Sequence, residues 1–116
     1  MKIIAVVDED DVLTPLEYGN TIVEIDTETD QKKFYENPGY GSPFQGKERA
    51  MAGILSLKAD AIVVKEGVLC PGSYMMSKGK MKYIPVEEEK LQEVEPKLKE
   101  KLNNAQEELD FNIYRE

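Results

Sequence analysis

Cys70 is a candidate nucleophile or metal ligand. It lies between Leu69 and Pro71 in a glycine-flanked loop, where the backbone amides of a following helix could stabilise a reactive or metal-binding thiolate. It is the single cysteine of the sequence, so an internal disulfide and a multi-thiolate metal site within one chain are excluded. A lone thiol is also common as a small buried hydrophobic group, and both interpretations stay open.

Four consecutive acidic residues, Asp8 to Asp11, form a second candidate site. With Glu24, Asp26 and Glu66 they could gather at one end of a sheet and hold Mg²⁺ in a metal-dependent hydrolase. A solvated acidic loop is the favoured interpretation, because a nuclease needs basic residues for its substrate and this chain has a net charge of −8. The same charge opposes binding to DNA or RNA, so nucleic acid is not an expected partner.

The segment from Pro38 to Gly46 is a glycine-rich loop that could close over an anion or a flat ligand. Its glycines free backbone amides, and Tyr40 and Phe44 supply aromatic faces. The Gly-Lys pair at its end is followed by Glu48, where a Walker loop has Ser or Thr, so nucleotide binding gains little support. The sequence has no histidine, which excludes Ser-His-Asp, Cys-His and His-based zinc chemistry.

Five short segments have the composition of β-strands that would position these residues. They are Lys2 to Val7, Thr21 to Asp26, Lys32 to Glu36, Ala59 to Val64 and Met81 to Val86. The first and fourth are apolar, β-branched runs typical of central strands, whereas the lysines of the third suit a sheet edge. We expect the first and fourth strands to be parallel neighbours, with the turns that leave them converging on one crevice.

Two helices are predicted between these strands. The apolar spacing from Lys47 to Leu57 indicates an amphipathic helix with one face for the sheet. A second, short helix is expected from Ser73 to Lys78, capped by Ser73 or begun at Gly72, and stopped by Gly79.

The segment after Val86 carries apolar residues at helical spacing on a charged background. These residues are Leu91, Val94, Leu98, Leu102, Ala105 and Leu109. Pro96 predicts two helices that meet near Glu95. We expect residues 87–116 to form acidic amphipathic helices that pack on a domain formed by residues 1–86, make a homodimer seam, or dock on another protein.

The apolar runs of the sequence are short. None approaches the ~20 residues of a membrane-spanning helix, and the N-terminal run meets acidic residues too soon to be a signal peptide. We therefore expect a cytoplasmic protein without a membrane partner.

The order of these segments resembles the dinitrogenase iron-molybdenum cofactor-binding family. The phrases that carry the resemblance are Met1 to Val6, Thr14-Pro15 to Tyr18-Gly19, Val23 to Thr29, Glu36-Asn37-Pro38, Lys58 to Val64 and Gly67 to Pro71. The resemblance covers roughly residues 1–86. It implies a three-layer α/β/α fold with a mixed five-stranded sheet and ribonuclease H-like topology, followed by a C-terminal helical extension.

The resemblance implies noncatalytic binding or carriage of a metal-sulfur cofactor of iron-molybdenum type, or of a related small anionic ligand. The implied cofactor-binding residues are Glu17, Tyr18, Gly19, Gly67, Cys70 and Gly72. Among them, Glu17 and Cys70 are the implied cluster ligands, and the amides of Gly67 and Gly72 would hydrogen-bond to sulfides. Family members commonly have His-Phe-Gly where this chain has Glu17-Tyr18-Gly19, so the usual imidazole is absent.

Two functions stay open from the sequence. One is a binding module for an iron-sulfur or molybdenum-containing cluster, which the glycine loops and Cys70 favour. The other is an interaction or assembly protein that keeps the fold without the ligand and acts through its C-terminal helices, which the absence of histidine favours. Neither function makes the chain an enzyme.

Overall fold

The computed structural model describes residues 1–110 and 112–113. The strands are β1 (Lys2–Val7), β2 (Thr21–Asp26), β3 (Lys32–Glu36), β4 (Ala61–Val64) and β5 (Lys82–Pro85). The helices are α1 (Gly46–Ser56), α2 (Pro71–Ser77), α3 (Leu91–Val94) and α4 (Leu98–Asn103), with a 3₁₀ turn (Glu95–Lys97) between the last two.

The five strands form one mixed sheet in the order β3-β2-β1-β4-β5. β2 runs antiparallel to both β1 and β3, whereas β1, β4 and β5 are mutually parallel. The register places Ile3 beside Ala61 and Ile4 beside Ile62, so the two β-branched runs are adjacent in the centre of the sheet. The predicted α/β fold with a mixed five-stranded sheet is confirmed.

Two apolar cores lie on opposite faces of this sheet. Because successive side chains of a strand point to opposite faces, Ile4 and Val6 enter one core, and Ile3, Ala5 and Val7 enter the other. The first core is closed by α1 and α2, and the second by α3 and α4. This arrangement gives the predicted three layers.

The C-terminal segment divides its apolar residues between the two cores. The residues up to Leu98 are buried in the core under α3 and α4. After α4 the chain runs along the edge of the sheet, where Gln106 and Tyr83 exchange backbone hydrogen bonds of 2.7 and 2.8 Å, and Leu109 is buried in the opposite core. Leu109 was expected to continue the helical spacing of Leu91 to Ala105, but it lies outside a helix, because α4 ends at Asn103.

The helices of the described residues are short. None of them is both long and apolar enough to cross a membrane. The domain boundary at residue 86 and a partner for residues 87–116 stay predictions.

Candidate functional site

The loops that leave β1 and β4 meet at one end of the sheet. β1 and β4 are parallel neighbours, so the carboxyl ends of both strands lie at the same end of the sheet. The Leu16 amide, in the loop after β1, donates a 3.2 Å hydrogen bond to the Val68 carbonyl, in the loop after β4. The predicted convergence of these two turns is therefore confirmed.

Asn37 joins a third loop to this pair. It follows β3, and its buried side chain donates from Nδ2 to the carbonyls of Leu16 at 2.6 Å and Gly19 at 2.8 Å. Its Oδ1 accepts the Gly39 amide at 2.9 Å, which fixes the turn that leads towards α1. From the sequence, Asn37 was cited only for the resemblance and had no expected role in a site. An Asn-Pro-Gly turn directly after a strand is the signal that could have identified it.

Gly19 allows the loop after β1 to lie closely against the end of β1, and Gly46 allows the start of α1 to approach that loop closely. A Cβ atom at Gly19 would lie 2.5 Å from both Thr14 Oγ1 and Val6 Cγ1, and one at Gly46 would lie 2.7 Å from Glu17 Cβ. A larger residue at Gly19 would displace this loop from β1, and one at Gly46 would push the start of α1 away from the loop. The structure thus gives Gly19 a packing role, and its role in ligand binding stays a prediction.

The Thr14 hydroxyl is buried beside Gly19. It has no hydrogen-bond partner within the part of the chain that the structure describes. Buried hydroxyls are normally paired, because leaving one unpaired costs about 1–3 kcal/mol. An orphaned polar atom of this kind marks a position where a ligand atom could complete a hydrogen bond. Thr14 was among the residues that carry the resemblance, but it was not an expected site residue.

The first turn of α1 lies against the two implied ligands, Glu17 and Cys70. Glu17 Oε1 is 3.8 Å from Lys47 Nζ, and the lysine side chain is only 12% exposed. Cys70 Sγ is 3.1 Å from Glu48 Oε2. The structure therefore brings Glu17 and Cys70 to adjacent residues of one helical turn, which the sequence did not predict.

Cys70 has a structural role at the start of α2. Its Sγ accepts the Ser73 amide at 3.4 Å, and Ser73 Oγ accepts the Cys70 amide at 3.0 Å, which together form a capping box. The predicted start of this helix at Ser73 or Gly72 is therefore wrong, because Pro71 occupies the first helical position and Cys70 caps it. Cys70 is only 6% exposed, so its thiol is buried as well as hydrogen-bonded.

The two implied glycine donors differ in their surroundings. Gly67 has a φ of 87°, and its amide donates a 3.0 Å hydrogen bond to the Ile113 carbonyl. A ligand that uses this amide would have to displace Ile113. Gly72 is exposed in the first turn of α2, where a Cβ atom would lie 3.1 Å from Glu48 Oε2.

Three exposed aromatic rings are carried by these loops. Tyr18 is 66% exposed in the loop after β1, and Tyr40 and Phe44 are 56% and 74% exposed in the loop before α1. They supply flat apolar surface at the end of the sheet where the three loops meet.

The acidic residues considered for Mg²⁺ do not form a metal site. Asp8 Oδ1 accepts the amides of Asp10 and Val12 at 2.9 and 3.0 Å, and Asp11 Oδ2 accepts an amide of α3 at 2.8 Å. Asp26 pairs with the first residue of β1, at the opposite end of that strand. The described residues contain no group of three or more acidic or cysteine side chains that could hold a metal ion. The gathering of all these acidic residues at one end of the sheet, which the sequence allowed, therefore does not occur.

Two wide cavities lie outside this site. One, of about 940 Å³, lies where β4 and β5 begin and is lined by residues that include Lys58, Lys78 and Lys80. Another, of about 770 Å³, lies between the end of β5 and α4. Neither cavity is lined by an implied cofactor-binding residue.

Comparison with known proteins identifies the fold. No protein-family model and no curated protein matches the sequence significantly. Among solved structures, the apo form of the orange protein from Desulfovibrio gigas matches with a TM-score of 0.72 and 10% identity, covering 96% of this chain and 93% of that one. A protein from Methanocaldococcus jannaschii that is provisionally assigned as a dinitrogenase matches with a TM-score of 0.60 and 16% identity, covering 90% and 91%.

The TM-scores establish a common fold, and at identities this low the matches establish the fold alone. They agree with the resemblance drawn from residues 1–86, since one of the two structures carries a dinitrogenase assignment. The chain has the α/β/α fold shared by the orange protein and the dinitrogenase-assigned protein.

Proposed function

We propose that this protein is a noncatalytic binding module for a small anionic ligand, and that a metal-sulfur cofactor of iron-molybdenum type is the ligand class it carries. The observation that supports this proposal most directly is the convergence of three loops on the first turn of α1. Ligands of open α/β sheets bind in such crevices, at the carboxyl ends of the strands.

The first turn of α1 supplies hydrogen-bond donors. Gln45 precedes this helix with a φ of 54°, and no side chain of the described residues caps it. Uncapped amides and the positive end of a helix dipole favour a negatively charged ligand. The orphaned Thr14 hydroxyl is a further polar group among these loops.

The donor set fits an anion held by hydrogen bonds better than a metal ion held by several side chains. Cys70 offers one thiol, and its use as a ligand would break its hydrogen bond to Glu48 and its contact with the Ser73 amide. Glu17 offers one carboxylate, which is paired with Lys47. A bound metal-sulfur cluster would bring its own sulfides, and the chain would supply amide donors and at most these two ligands.

The structural neighbours support a ligand-binding function. The orange-protein structure is that of an apo form, and the Methanocaldococcus protein is provisionally assigned as a dinitrogenase. The alternative, an assembly protein acting through its C-terminal helices, has less support. The apolar residues of these helices up to Leu98 are buried against the protein's own sheet.

Anaerobic reconstitution tests the proposal. The purified chain is incubated with ferrous iron and sulfide, with and without molybdate, and desalted. Visible absorbance and metal content per chain are then measured. We expect coloured protein with a fixed metal-to-protein ratio. Colourless protein with no retained metal would contradict a metal-sulfur ligand.

Two variants distinguish the helix-capping role of Cys70 from a role as a cluster ligand. Cys70→Ser keeps a capping oxygen but removes the sulfur, whereas Cys70→Ala removes both. If sulfur binds the cluster, Cys70→Ser loses retained metal at nearly unchanged thermal stability. Equal metal retention by Cys70→Ser and the unmodified protein would assign Cys70 to the cap alone.

A further inference from the structure

β3 forms one edge of the sheet. It pairs with β2 on its inner side, and no strand within residues 1–110 or 112–113 pairs with its outer side. An open edge presents unpaired amides and carbonyls that can template another strand. The composition of this edge therefore decides what can pair with it.

The hydrogen bonds around β3 show which residues face outwards. The Asp26 amide donates to the Gln31 carbonyl at 2.9 Å, and the Asn37 amide donates to the Asn20 carbonyl at 3.3 Å. In an antiparallel ladder, hydrogen-bonded pairs alternate with non-bonded pairs. Odd-numbered residues of β3 therefore bond to β2, and the even-numbered ones direct their backbone groups away from the sheet.

The three outward-facing residues are Lys32, Phe34 and Glu36. Phe34 is opposite Val23 in the register, so all three side chains project from the sheet face that carries α3 and α4. All three residues are exposed, and Phe34 is 67% exposed. The edge thus presents a cation, an aromatic ring and an anion at equal spacing.

This pattern is complementary to itself when reversed. In an antiparallel pair centred on Phe34, the two Phe34 rings are opposite each other, and each Lys32 is opposite a Glu36. We propose that a second copy of this chain adds to the outer edge of β3 in this register and forms a two-fold dimer with one continuous sheet. Aromatic pairs and opposite charges are both favourable cross-strand neighbours.

The existing contacts of Lys32 are compatible with this pairing. Its Nζ is 2.6 Å from Glu95 Oε1, which holds the side chain near the edge. An ammonium group has three donors, so Lys32 can contact Glu95 and Glu36 of the second copy together. Edge lysines usually oppose strand pairing, and an opposing glutamate removes that repulsion.

The interface is small, and it is separate from the proposed ligand site. β3 has five residues, so we expect a reversible dimer whose population depends on protein concentration. The proposal requires no bound ligand, and its test and the reconstitution experiment can fail independently.

Sedimentation equilibrium of the full chain over a range of concentrations tests the dimer. Glu36→Lys turns two attractive pairs into two repulsive ones and should raise the dissociation constant about ten-fold or more. The double variant Lys32→Glu with Glu36→Lys restores opposite charges and should restore most of the affinity. Glu107→Lys, at an exposed residue outside β3, has the same change in net charge and should leave the dissociation constant nearly unchanged.

Amide hydrogen exchange measured by NMR locates the interface. The amides of Lys32, Phe34 and Glu36 should exchange more slowly as protein concentration rises. Those of Lys33 and Tyr35 should be protected at every concentration, because they bond to β2, and this protection also reports that each variant is folded. A chain that stays monomeric at millimolar concentration, or a dimer without concentration-dependent protection of the outward amides, would overturn the proposal.

Discussion

Cys70 Sγ lies 3.1 Å from Glu48 Oε2, so the thiol that caps α2 donates to a carboxylate in the first turn of α1. This contact links the beginnings of the two helices that cover one face of the sheet. It joins residues that are 22 positions apart in sequence. A cysteine that the sequence suggests as a metal ligand thus also connects two structural elements.

Two substitutions of Cys70 should show how much its hydrogen bonds contribute to the free energy of unfolding. Cys70→Ala removes the cap and the donor to Glu48, and should lower the free energy of unfolding by about 1–2 kcal/mol. Cys70→Ser keeps a cap and a donor and should cost less. Urea unfolding measures both variants. Equal losses for the two would show that packing of the sulfur, rather than hydrogen bonding, is the main contribution.

Asn37 should be important for the stability of the loop cluster. Asn37→Ala leaves the carbonyls of Leu16 and Gly19 and the Gly39 amide without their partner, and should cost about 2–4 kcal/mol. Asn103→Ala, at an exposed position of α4, is the matched control and should change stability by less than about 0.5 kcal/mol. A similar small effect at both positions would contradict the linking role of Asn37.

Thr14 should show opposite effects on stability and binding. Thr14→Val replaces an unpaired buried hydroxyl with a methyl group of similar size, and should raise the free energy of unfolding by about 1 kcal/mol. If the hydroxyl contacts the ligand, the same variant should retain less metal after reconstitution. Thr14→Ser keeps the hydroxyl and is the control. A destabilised Thr14→Val protein would show that the hydroxyl is already paired.

Glu88 should contribute to acid sensitivity. A hydrogen bond from its own backbone amide, followed by that from Lys97 at 3.0 Å, lowers the pKa of Glu88 from 4.5 to about 2. A depressed carboxyl pKa contributes stability that is present above the ordinary pKa and is lost as pH falls towards the folded-state value. Stability should therefore fall between these two pH values, and Glu88→Gln should lose less over that interval. Thermal unfolding at several pH values checks this, and parallel profiles for the two proteins would contradict it.

The strands could be predicted because the residue types that favour a strand lie next to one another in the sequence. The β-branched runs at 3–7 and 61–64 became adjacent central strands, and the lysines at 32 and 33 identified an edge. Leu109 was misassigned because helical spacing continues past Asn103, although the helix itself does not. Periodicity describes a face of a helix only for as long as the chain remains helical.

The site was harder to predict because its residues meet only after folding. Glu48 lies in α1 and Cys70 caps α2, and Asn37 reaches carbonyls 18 and 21 residues away. Cysteine is an unusual helix cap, so the start of α2 was assigned to Ser73 instead. The orphaned hydroxyl of Thr14 has no signal in sequence, since a missing partner becomes visible only when the surroundings of the atom are known.

The two edges of the sheet differ in a way that limits the size of any assembly. Gln106 takes both backbone hydrogen bonds of Tyr83 on the outside of β5, so an incoming strand would meet an occupied position there. When β3 pairs with β3 of a second copy, neither copy has an open β3 edge left. The two outer edges of the joined sheet are then the β5 edges, where Gln106 occupies the position beside Tyr83. Strand addition should therefore stop at two chains, and the protein should stay dispersed at concentrations where a sheet open at both edges would grow into fibres.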